Sequence, residues 1–140
     1  MKKITLQMFV AVIFAAAFTV SCKKEDNNED KLSLLTKASW KPVSITDNGE
    51  EDIWDCEKDD TYTFTKSAIA DLFAGAYNPG ANICDEEDPE TAESFTWKLI
   101  ENDTKLVWFG DTATINKLDA NTLKLTYTED GDVLVETYNH

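Results

Sequence analysis

Arginine is missing from this chain, and 13 lysines stand against 27 acidic residues, for a net charge of −14 over 140 residues. Without the planar guanidinium fork there is no two-point grip on phosphate or carboxylate. A surface this acidic repels a polyanion, so nucleic acid is excluded as a partner. Histidine occurs once, as the terminal residue His140, which leaves Ser-His-Asp and Cys-His mechanisms without a base on a folded element. With three cysteines and that one histidine, a zinc centre lacks soft ligands. No nucleophile–base pair can be assembled, and neither enzymatic activity nor a cofactor is expected. What is present suffices for a core: hydrophobic residues make up 42% and aromatics 11%, which excludes wholesale disorder. The length fits a single domain.

The first segment reads as an address. Met1-Lys2-Lys3 is a positive start, and Ile4 to Val20 is apolar apart from Thr5, Gln7 and Thr19. That run is shorter than the roughly 20 residues that span a bilayer, and it closes in Thr19-Val20-Ser21 before Cys22. A cysteine directly after a small residue at the end of such a stretch resembles a bacterial lipobox. The resemblance implies cleavage after residue 21 and acylation of Cys22, palmitate included, with the multiple chains that stable anchoring needs. Thr19 stands where lipoboxes carry leucine, which leaves a secretory leader cut elsewhere, or a retained anchor helix, as alternatives. Removing residues 1–21, which hold two lysines and no acid, takes the net charge from −14 to −16. Residues 22–31 then form a lipidated, solvated acidic tether, since Lys23 to Asp30 contains no apolar residue. Lys23-Lys24-Glu25-Asp26 resembles export signals that carry lipoproteins of Bacteroidota to the outer leaflet. The expected location is the cell envelope, at the outer membrane, on its periplasmic face or on the cell surface.

Residues 32–140 read as a folded domain built from short strands. Leu32, Leu34 and Leu35 have weak helical spacing, too brief to be stable alone, and are expected to plug one end of the strand assembly. Trp40 to Thr46 is the first strand, ended by Asp47-Asn48-Gly49, a strong turn signal. Thr61 to Thr65 alternates, with Tyr62 and Phe64 on one face. Phe95 to Ile100, Lys105 to Phe109, Thr112 to Leu118, Thr122 to Thr128 and Val133 to Tyr138 come next, joined by turns such as Gly110-Asp111 and Asp130-Gly131. Turns at this spacing mark an antiparallel meander. Ala68 to Tyr77 fits helical spacing at Ile69, Leu72, Phe73 and Tyr77, but a strand is preferred because eight strands close a meander. The fold class is therefore all-β: an eight-stranded antiparallel up-and-down barrel with a short N-terminal helix. Closure removes the unpaired edges of an open sheet.

If Cys22 carries lipid, Cys56 and Cys84 remain as an even pair in an exported chain, and a disulfide is the economical reading. Asp55 and Glu57 flank Cys56, which raises a thiol pKa and argues against a reactive cysteine. Leu34-Leu35-Thr36, Trp40 to Ile45, the run Asp55-Cys56-Glu57-Lys58-Asp59-Asp60 and Tyr62-Thr63-Phe64 resemble the lipocalin-like lipoproteins of Bacteroidota. Cys84, Trp97-Lys98-Leu99, Lys105-Leu106 and Leu123-Lys124-Leu125 fall in that family's order, so the resemblance spans nearly the whole domain. It implies a lipid-anchored, eight-stranded barrel of lipocalin type. In the stretch Ala68 to Ala76 the family more often shows a glycine-marked hairpin.

Acids crowd both cysteines. Asp55, Asp59, Asp60, Asp85 and Asp88 would converge on one end of the barrel if the disulfide forms, as oxygen ligands for Ca²⁺ or as a solvated acidic rim. The rim is the preferred reading, because no EF-hand spacing is present. Trp40, Tyr62, Phe64, Trp97 and Tyr127 are candidates to line an apolar cup, or else to fill a solid core. The preferred function is non-catalytic binding of a small apolar molecule by a membrane-anchored barrel. The alternative is a solid-cored, displayed module that contacts a protein or glycan.

Overall fold

A computed structural model describes residues 30–69, 71–85 and 89–140. The leader, Cys22, the tether to residue 29, and Asp88 lie outside the described residues. Asp30 caps a single-turn helix, α1 (Lys31–Leu35), by accepting from the Ser33 backbone N–H at 2.9 Å, while Lys31 donates to the Asp103 carbonyl at 2.7 Å.

The main chain then forms β1 (Ser39–Asp47), a two-residue strand β2 (Glu50–Glu51), a 3₁₀ turn (Glu57–Asp59), β3 (Thr61–Ile69), β4 (Leu72–Asn78), β5 (Glu93–Ile100), β6 (Lys105–Trp108), β7 (Asp111–Leu118), β8 (Thr122–Glu129) and β9 (Asp132–Asn139). All pairings are antiparallel, and the sheet runs β1-β3-β4-β5-β6-β7-β8-β9 with β9 returning to β1, so eight strands close a barrel. β2 is a short extra ladder on the far end of β1.

The stretch 68–77 is extended, but it is not one strand. Ala68 pairs with Phe73 and Ile69 with Leu72, so the chain reverses there and the segment is the end of β3 plus most of β4. The apolar spacing at Ile69, Leu72, Phe73 and Tyr77 mimics a helix only because the reversal interrupts the two-residue period.

β1 closes the barrel by dividing its pairing. Ser39 and Trp40 face β3, whereas Lys41 to Asp47 face β9. The register shifts between Pro42 and Ser44, where proline's missing N–H and a bulge coincide.

One end of the barrel is filled solid. Leu35, Trp40, Phe64, Trp97, Leu106, Leu123 and Leu125 are all less than 2% exposed. The Trp40 indole N–H donates to the Leu35 carbonyl at 2.9 Å, which fixes α1 as the plug, and the Trp97 indole donates to the Ala74 carbonyl at 2.9 Å. Neither buried indole is left unsatisfied. Gly75 faces Phe95 across the β4–β5 ladder, and a Cβ there would sit 2.3 Å from the phenyl ring.

At the opposite end, Cys56 and Cys84 form a disulfide with a Cα–Cα distance of 5.3 Å. It joins the loop after β2 to the loop after β4. The neighbouring acids grip the same two loops. Asp59 accepts from the Ala81 N–H at 2.8 Å and from the Asn82 side chain at 2.9 Å. Asp60 accepts from the Gly80 N–H and the Tyr77 hydroxyl, both at 2.9 Å.

This packing sets two expectations for stability. Gly75→Ala is expected to cost about 1–3 kcal/mol in urea unfolding, because the Phe95 ring, packed against Phe64, Trp108 and Phe109, would have to shift. Reduction of the disulfide is expected to cost about 3–4 kcal/mol by the loop-entropy relation. A reduced protein with an unchanged urea midpoint would show that the acidic clasp holds the two loops unaided.

Candidate functional site

The end of the barrel away from α1 is hollow. A cavity of about 830 Å³ opens there, with walls from β3, β6, β8 and β9 and a rim from the hairpin turns. Strand parity sets which side chains reach it. On β9, Leu134, Glu136 and Tyr138 alternate inward, and across the ladder they face Tyr127, Leu125 and Leu123 of β8. Tyr62 enters from β3 and Trp108 from β6. Their rings lie 5.3 Å apart, and the Tyr138 ring stands 5.5 Å from Tyr62 and 5.9 Å from Trp108. These rings form the floor on which the solid half of the barrel ends.

The rim is built by tight hairpins. Asn48-Gly49, Phe109-Gly110 and Asp130-Gly131 all have positive φ at both positions, the geometry that matches strand twist in two-residue connections. Asn48 ties two of the turns together: its side chain donates to Asp132 and accepts from the Val133 N–H, both at 3.0 Å. Phe109 is the unusual member, a bulky residue at φ 49° that is 52% exposed. Its ring packs on Phe95 at 4.6 Å and on Trp108 at 5.4 Å, at the lip of the cavity.

Among the described residues, Glu136 is the one carboxyl within the aromatic floor. Tyr138 donates its hydroxyl to it at 2.7 Å, and Tyr127 is hydrogen-bonded to it as well. The Trp108 indole N–H donates in turn to the Tyr127 hydroxyl. Burial pushes the Glu136 carboxyl above its ordinary range. The two phenol donors pull it back in part, while Glu57 and Asp111 push it further up. Burial likewise lifts the Tyr62, Tyr127 and Tyr138 hydroxyls well above the usual phenol value, so they remain protonated donors.

Of the aromatic candidates, Tyr62 and Tyr127 line the cavity. Trp40, Phe64 and Trp97 do not. They share the inward parity but sit deeper, within the solid half, at 0%, 1% and 0% exposure. Sequence reasoning missed Glu136 altogether. Its signal was an acid on the Leu134-Tyr138 parity of the last strand, where an inward apolar residue is expected.

The acids near the cysteines serve local hydrogen bonds. Asp55 pairs with Lys58 at 2.7 Å, and Asp59 and Asp60 hold the loop after β4. Asp85 borders a second, smaller hollow of about 340 Å³ beside the disulfide, and Asp88 lies outside the described residues. Among the described residues, no group of three or more His, Cys, Asp and Glu side chains is placed to hold a metal ion.

A closed antiparallel barrel, plugged at one end and cupped at the other, defines a small-ligand-binding module. Residues 36–125, more than half the chain, match the lipocalin-like domain family. The chain belongs to that family, whose members are typically binding proteins rather than catalysts. No curated protein matches it.

Glu136→Gln is expected to unfold at a higher temperature than the wild type near neutral pH. Because the folded pKa lies above the unfolded one, the ionised carboxyl costs stability once pH rises through the folded value. The gap should close below about pH 4, where the group is protonated in both states. Parallel curves at every pH would mean that the carboxyl is not desolvated.

Proposed function

We propose that this protein is a non-catalytic binder of the bacterial cell envelope, anchored at the outer membrane through acylated Cys22, that holds a small molecule with an apolar body in the cup. The anchoring rests on the lipobox-like Thr19-Val20-Ser21-Cys22 and on the polar segment after it. The resemblance to lipoproteins of Bacteroidota supports the same placement. The cup carries the binding reading: its volume of about 830 Å³ falls in the range of small-molecule sites, and its floor is aromatic. The alternative, a displayed module with a core filled throughout, has no use for a cavity at one end.

Two measurements test this reading. Cys22→Ser is expected to move the protein from the membrane fraction to the soluble fraction and to abolish palmitate labelling. The neutral apolar dye Nile red should brighten on binding, and Leu134→Trp, which fills the cup, should weaken that binding at least about tenfold. Equal dye binding by Leu134→Trp would place the ligand elsewhere.

A further inference from the structure

The charge in the cup is of one sign. Asp47, Asp111, Glu129, Asp130 and Asp132 stand around its rim and Glu136 on its floor, and among the described residues that line it there is no lysine or histidine. A cavity built only for an apolar molecule gains nothing from a half-buried carboxyl on its floor, which is costly to ionise there without a counter-charge. This one is held in place by two phenol donors that leave room for a further contact, since an ionised carboxylate offers about four acceptor sites. The rings beside it, Tyr62, Trp108, Tyr127 and Tyr138, present electron-rich faces that attract cations. Phe109 at the lip adds another such face from a left-handed backbone position that a phenylalanine rarely occupies. The rim acids also concentrate cations at the mouth and turn anions away.

A metal ion does not fit this pattern, because the carboxylates are spread around the mouth rather than converging. An organic cation does. We propose that the cup selects a primary ammonium compound with an aromatic or other apolar body, its ammonium paired with Glu136 and its body against the aromatic floor. The inference rests on the cup being the binding site and adds the charge of what it binds.

Three probes with one body and different charge make the test: phenethylamine (cation), 2-phenylethanol (neutral) and phenylacetate (anion), titrated into the protein by calorimetry and by tryptophan fluorescence. Phenethylamine is expected to bind at least about tenfold more tightly than 2-phenylethanol, with phenylacetate showing no binding. Glu136→Gln should remove the cation's advantage, and Asp111→Asn should reduce it. Asp103→Asn, the same change of net charge at the plugged end, should leave it intact. Equal binding of the amine and the alcohol would overturn the cation inference while leaving the cup as a binding site. Nile red binding with no response to phenethylamine would overturn it as well. If Nile red also fails, the binding reading beneath it falls too.

Discussion

Within the barrel β1 pairs on both sides, with β3 and with β9, and the rest of the molecule depends on that division. Its first two residues complete the sheet against β3 and the remainder pairs with β9, so the strand that begins the barrel also shuts it. A strand has two hydrogen-bonding edges, and a barrel closes only when the first strand uses both of them. The bulge at Pro42–Ser44 turns the chain between them, at a position where proline has no ladder hydrogen bond to lose. Because the same strand carries Trp40, closure also places the indole that holds α1 over the end of the barrel.

Closure creates an inside, and the two ends use it differently. Towards α1, large apolar side chains meet until no space remains, with both buried indole N–H groups satisfied by carbonyls. Towards the hairpin turns, the inward positions carry tyrosines, Trp108 and Glu136, and a cavity opens. The polar atoms at this end form one connected chain from Trp108 through Tyr127 to Glu136 and on to Tyr138. Such a network fixes side-chain positions before any ligand arrives, which lowers the ordering entropy that binding must overcome. The plugged half supplies rigidity, and the cupped half supplies a preorganised surface.

Negative charge has two distinct roles here. Around the disulfide, Asp55, Asp59 and Asp60 are engaged by a lysine, by backbone N–H groups and by a tyrosine hydroxyl, so they act as loop fasteners. Around the cup, Asp132 accepts from Asn48, while the other rim acids stand at the mouth above the half-buried Glu136. Similar residues in a similar density thus hold loops at one site and set the electrostatic character of another, with local backbone geometry making the difference.

The sequence by itself determined the class of fold. Two-residue alternation and the turn signals at Asn48-Gly49, Gly110 and Asp130-Gly131 specify hairpins locally, because side-chain direction and positive φ are properties of neighbouring residues. The pairing of Cys56 with Cys84 was legible for a simpler reason: with Cys22 read as a lipid site, only two cysteines remain to pair. The reversal between Ile69 and Leu72 was not legible, as no glycine or proline marks it. How deep each inward side chain sits was not legible either. Trp40, Phe64, Trp97, Tyr62 and Tyr127 all share the inward parity, yet only the tyrosines of this set reach the cavity. Depth along the barrel axis depends on the register of every ladder and on strand tilt, which are relations between distant segments. Glu136 acquired its place by the same route: one acid among 27 in the chain, it stands beside tyrosines from other strands only after the barrel has closed.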